Sequence, residues 1–187
     1  MDSKKKMIIA ISAFAMVILA AVVGVVAVLA AQQVTVKSSI SVSYTASEVA
    51  GTVTAKYQVK GGTATNIGTT GTITFDGTET GEPEESLTET TLSISGLSST
   101  NNYVDFIFTF TNTGSSKYTA TLTPPTTCTN FNITYTVPNA SGVTKKSDTS
   151  FEVAGGTTTA VTYTIRYTIK DVSKDASLSG DFSWSLT

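Results

Sequence analysis

Val104-Asp105-Phe106-Ile107-Phe108-Thr109-Phe110-Thr111-Asn112-Thr113-Gly114 puts Val104, Phe106, Phe108 and Phe110 at every second position and then ends in Asn-Thr-Gly. A period of two marks a strand with one buried face, and Asn and Gly supply the turn chemistry that stops it. Burying one Phe side chain contributes about 1.5–3 kcal/mol. Three on one face outweigh any local propensity, so this stretch is expected at the centre of the core.

The same period recurs on both sides of it. Upstream, Val34, Val36, Ile40, Val42 and Tyr44 alternate with Thr35, Lys37, Ser39, Ser41 and Ser43, and Val53, Ala55, Tyr57 and Val59 alternate with Thr52, Thr54, Lys56 and Gln58. Ile73 with Phe75, and Leu92 with Ile94, mark two short strands among Gly- and Thr-rich loops. Downstream, Tyr118, Ala120 and Leu122 run up to Pro124-Pro125, and Phe131, Ile133, Tyr135 and Val137 run up to Pro138. Proline removes backbone donors and ends each run. Phe151 and Val153 precede Gly155-Gly156, Val161 to Ile169 makes the longest alternating run, and Phe182, Trp184 and Leu186 close the chain. About ten strands with no amphipathic helix between them predict an all-β domain, an antiparallel β-sandwich of jelly-roll or immunoglobulin-like topology. Parallel strands covered on both faces would read as continuous apolar runs instead.

The palette agrees with that expectation. The 187 residues include 36 Thr and 22 Ser, the Thr set largely among Val, Ile, Tyr and Phe. Thr packs its branched Cβ on a pleated surface and turns its hydroxyl to water, as the exterior of a sheet requires.

Ahead of the first strand lies Met7–Ala31, an uncharged apolar run behind Lys4, Lys5 and Lys6. As a helix it would be roughly 37 Å long, enough to cross a hydrocarbon core of about 30 Å with some tilt. The basic flank predicts that the N-terminus stays inside and that the chain after Ala31 is exported. The division expected is therefore 1–31 as signal peptide or N-terminal transmembrane anchor and 32–187 as an extracellular Thr-rich domain. Val28-Leu29-Ala30 fits a signal-peptidase site, with the cut between Ala30 and Ala31, whereas the length of the run fits a retained helix. The membrane is a partner through Met7–Ala31 at least before processing.

Composition excludes several function classes. Residues 32–187 carry 9 Lys or Arg against 13 Asp or Glu, a net charge of −4, so no basic footprint for nucleic acid exists. Histidine is absent, which removes the commonest general base, the usual metal ligand and any His-containing triad. Cys128 is alone, so no intrachain disulfide can form. No catalytic residue, no cofactor and no enzymatic activity are expected.

The residues that invite sharper readings each have a plainer one. Asp76, Glu79, Glu82, Glu84 and Glu85 place five carboxylates in ten residues, an oxygen-rich set of the kind calcium takes. The spacing does not match an EF-hand, and a solvated acidic loop is the expectation. Asn132-Ile133-Thr134 and Asn139-Ala140-Ser141 match the glycosylation triplet, and in so Thr- and Ser-rich a chain they are read as strand and turn. Cys128, between two threonines, is expected as a small buried hydrophobe. Trp184, in step with Phe182 and Leu186, is expected in the core rather than as a sugar platform.

The Lys-rich start, the apolar segment, the strand that follows it at once and the Thr-rich β domain together resemble the TasA/camelysin group of bacterial surface proteins. That resemblance implies a jelly-roll filament subunit of an extracellular matrix. The stretch Phe106–Gly114 also resembles the strand and turn of immunoglobulin-like adhesion modules. The peptidase activity described for some camelysin relatives finds no support in a chain without His, and neither resemblance carries functional residues over. The expected function is that of a cell-surface structural or adhesive protein, with self-association or other surface proteins as partners. Val34–Tyr44 is the strand it would donate to a neighbour. The alternative is a monomeric membrane-anchored accessory or binding module with an immunoglobulin-like fold.

Overall fold

The computed structural model describes residues 34–44, 49–68, 71–76, 85–94, 97–98, 100–125 and 127–187. The expected helix Met7–Ala31 and the cleavage residues Ala30 and Ala31 lie outside them. Every regular element among the described residues is a strand. In chain order these are β1 (Val34–Tyr44), β2 (Ala50–Val59), β3 (Thr65–Asn66), β4 (Thr72–Asp76), β5 (Glu85–Ile94), β6 (Tyr103–Asn112) and β7 (Tyr118–Thr123). They continue as β8 (Thr127–Thr129), β9 (Phe131–Thr136), β10 (Val143–Lys145), β11 (Ser150–Val153), β12 (Thr157–Ile169), β13 (Ser177–Ser179) and β14 (Phe182–Leu186).

One sheet has the order β10-β11-β7-β14-β1-β5, and a second has the order β3-β2-β6-β12-β9 with β4 also on β2. A small third sheet pairs β13 with β8. Burial follows the period of two. Along β6, Val104, Phe106, Phe108 and Phe110 are wholly buried, and along β12 the buried set is Val161, Tyr163, Ile165, Tyr167 and Ile169. The registers Phe108↔Ala55 and Tyr163↔Phe108 place these faces side by side. Ring contacts then join the two large sheets: Phe106 meets Phe182 at 4.7 Å between centroids, and Trp184 lies 4.8 Å from Phe110 and 5.1 Å from Tyr163. Most of these ring pairs are edge-on, the geometry that sets a ring's positive rim against its neighbour's negative face. The Phe-rich stretch of β6 is central, as its sequence predicts.

Three differences from the sequence expectation have physical causes. Among the described residues fourteen strands replace about ten, because β3, β8, β10 and β13 have two or three residues, too few to display a period. β5 begins at Glu85, far ahead of Leu92, since Glu85 to Thr91 is polar except for Leu87 and one apolar residue shows no alternation to read. And the sheets are not wholly antiparallel: β1 runs parallel to β14, with Ile40↔Phe182 through Tyr44↔Leu186. Parallel neighbours need a long crossover. Here the whole chain between the first and last strands is that crossover, which no local pattern can announce.

β9 shows what the margin of a sheet costs. Ile133 shares a face with Tyr167 yet is 39% exposed, because β9 is the last strand of its sheet.

Candidate assembly site

Phe182, Trp184 and Leu186 of β14 are fully buried, so β14 forms part of the roof of the core. One edge of β14 is taken by β7 through Ser183↔Thr123 to Leu186↔Ala120. β1 takes the other, and β1 in turn is the strand neighbour of β5, through Val34↔Ile94 to Val42↔Glu85 with a bulge between Ser38 and Ile40. β5 stands at the end of the sheet, so β1 is what joins it to β14. Emptying this slot would leave one edge of β14 and the inner edge of β5 unpaired, and unpaired strand edges are unstable toward any chain that can refill them. The five residues 45–49 are all that connects β1 to β2, which lies in the other sheet.

Other candidates fall elsewhere. Asp76 closes β4 opposite Ala50, and it is exposed. Glu79, Glu82 and Glu84 lie outside the described residues, and Glu85 opens β5 by its backbone pairing to Val42. Among the described residues no three Cys, Asp or Glu side chains are grouped so as to hold a metal ion. Asn132 lies within β9 and Asn139 in the loop after it, both exposed. Cys128 is half-buried, paired with Leu178 across β8 and β13, and burial pushes its thiol up against a smaller opposing effect of Lys170. Trp184 is in the core, as expected.

Sequence reading missed one built polar cluster. Arg166 Nε and Nη2 each donate at 2.8 Å to the two oxygens of Asp105, and the guanidinium lies 3.7 Å from the centroid of the Tyr103 ring. The hydrogen bonds to Asp105 raise the Arg166 pKa above its ordinary value. A bidentate pair stacked on a ring ties β6 to β12. It also occupies both oxygens of a carboxylate that would otherwise be a candidate base. Nothing local announces it, since Asp105 and Arg166 are 61 residues apart and sit at polar positions of two alternating strands.

The buried phenols have structural duties. Tyr118 donates to the Thr111 carbonyl at 3.1 Å and Tyr163 to the Asp148 carbonyl at 2.7 Å. Burial pushes the hydroxyls of Tyr118, Tyr163 and Tyr167 well up, so all three stay protonated. Tyr167 Oη and Trp184 Nε1 are buried with no hydrogen-bond partner. A surface cleft of about 370 Å³ lies where β12 begins, between Ala140 to Gly142 and Ala154 to Val161. No charged side chain lines it, and it offers hydroxyls and backbone rather than a nucleophile with its base.

Searches against protein-family models and against curated proteins find no match to this chain.

Proposed function

We propose that this chain is an exported cell-surface structural protein whose two large sheets form a β-sandwich, and that copies assemble by donating β1. The reading is carried by one observation: the strand nearest the N-terminus, tethered by five residues, is also the strand that fills the slot between β14 and β5. A strand so placed can serve its own domain or the same slot in the next copy. Backbone hydrogen bonds would supply affinity and the alternating side chains would set the register. Contact of this kind is head-to-tail and need not close, so it builds a filament. The sequence supports the location: Met7–Ala31 exports the domain with the N-terminus inside, and cleavage after Ala30 would free the arm.

A second reading has its own support. β1 pairs within its own chain here, as a monomeric accessory or binding module held at the membrane by Met7–Ala31 would have it.

Ser41 and Ser183 are register partners across β1 and β14. Partners in a ladder have Cα atoms about 5 Å apart, within disulfide reach. Oxidising the Ser41→Cys/Ser183→Cys variant, with Cys128 changed to Ala, is expected to yield a ladder of covalent multimers on a denaturing gel. A single monomer band from concentrated protein would instead establish the monomeric module. Intact-mass measurement of the exported protein is expected to find Ala31 at its start; a mass that includes residue 1 or 2 would identify a retained anchor.

A further inference from the structure

One triplet recurs on the outward face of the second sheet. It is Thr72-Ile73-Thr74 on β4, Thr52-Val53-Thr54 on β2, Thr109-Phe110-Thr111 on β6, Thr162-Tyr163-Thr164 on β12 and Thr134-Tyr135-Thr136 on β9. The central residue is buried in the first four and half-buried in the last, so the two threonines of each triplet point away from the core. Register aligns threonines of the first four triplets, while the triplet of β9 falls out of step, with Thr136 opposite Thr164 and Thr134 opposite Arg166. Thr72, Thr54, Thr109 and Thr162 are successive partners across four strands. Thr74, Thr52 and Thr111 make the adjoining row.

The result is a two-dimensional lattice, with threonines about 4.8 Å apart between strands and roughly 6.7 Å apart along each strand. Branching at Cβ limits each side chain to few χ1 states. The Thr52 and Thr111 hydroxyls are further pinned to one another at 2.9 Å. Neither row contains a charge. The charged groups of this face flank the rows at both ends: exposed Asp76 follows Thr74 on β4, and Lys56, Asp105 and Arg166 stand beyond the row of Thr54 and Thr109.

We infer that this threonine array is an ice-binding surface. Its two spacings approach the two oxygen repeats on the prism face of hexagonal ice, and each position sets a branched side chain, with its methyl and its hydroxyl, on the outward face where an ordered water layer would lie. The chemistry of the rows disfavours other ligands. Without charge they have nothing for an ionic partner, and without an aromatic side chain they have no platform on which a sugar ring could stack. Sheet twist of about 20–25° per strand limits the matching area to the few strands around β2 and β6. The effect expected is therefore adhesion to ice and restraint of its recrystallisation, not a large depression of freezing. The inference is independent of strand donation.

The full chain in mild detergent, frozen slowly on a cold finger beside serum albumin in the same detergent, is expected to enter the ice several-fold more than albumin. It should also keep the grains of annealed polycrystalline ice small. Thr109→Lys and Thr54→Lys place a charge inside the rows and should abolish both effects, while Thr123→Lys on β7 in the other sheet should change neither. Unfolding midpoints accompany each variant; should Thr109→Lys lower its own, the exposed row-end variant Thr162→Lys takes its place. Exclusion of the unaltered chain from ice to the same extent as albumin would overturn the inference, as would equal entry by the row variants.

Discussion

Phe108→Ala is expected to lower the unfolding free energy by about 3–5 kcal/mol, the usual cost of removing a buried ring. Phe108 is wholly buried at the middle of β6, flanked by Ala55 on β2 and Tyr163 on β12. From the other sheet, Phe182 and Trp184 each approach its ring to 5.4 Å between centroids. Deletion therefore loses contacts within its own sheet and across the core together. The surrounding rings are rigid and wedged by their own neighbours, so the space closes poorly and the upper part of the range applies. Against a total stability of about 5–15 kcal/mol this is a large fraction. For a domain of this size it corresponds to a fall in melting temperature of roughly 6–20 °C. Thr109→Ala, one residue on and outward-facing, should be mild. Thermal unfolding of the two variants side by side checks the assignment; equal midpoints would show that the faces of β6 are wrongly placed.

Gly51→Ala is the second large effect. A methyl group at Gly51 would overlap the Thr111 carbonyl oxygen on β6 and stand 3.0 Å from the ring of Phe75 on β4. The overlapping atom is backbone, so no rotamer change relieves it; β2 and β6 must separate along the ladder that holds the sheet. The expected cost is at or above the top of the roughly 1–3 kcal/mol range for overpacking. Gly156→Ala is the informative contrast. Its φ is +71°, and an added Cβ meets nothing within 4 Å, so only the conformational penalty of about 1–2 kcal/mol applies. Urea unfolding curves that place the Gly156 variant below the Gly51 variant would refute this account of the β2–β6 contact.

The period of two in Val104 to Phe110, in Val53 to Val59 and in Val161 to Ile169 made the strand class and the buried face of each legible without any structure. Alternation is a local consequence of the pleat, and a buried Phe or Tyr every second residue leaves little else for the chain to do. Turn residues likewise announced most strand ends, as at Asn112-Thr113-Gly114, because Gly, Asn and Pro act on the backbone where they stand. What lies between distant segments had no such signal. The parallel contact of β1 with β14, the position of β1 as the link between β14 and β5, the clamp of Arg166 on Asp105 and the alignment of threonines from four strands into one row are all matters of register. Register is set by which strands the two sheets bring together around a shared core, and each of these pairings joins residues far apart in the chain. The residue types on every strand were written in the sequence; which residues became neighbours was decided only when the faces of β6, β12 and β14 closed on one another.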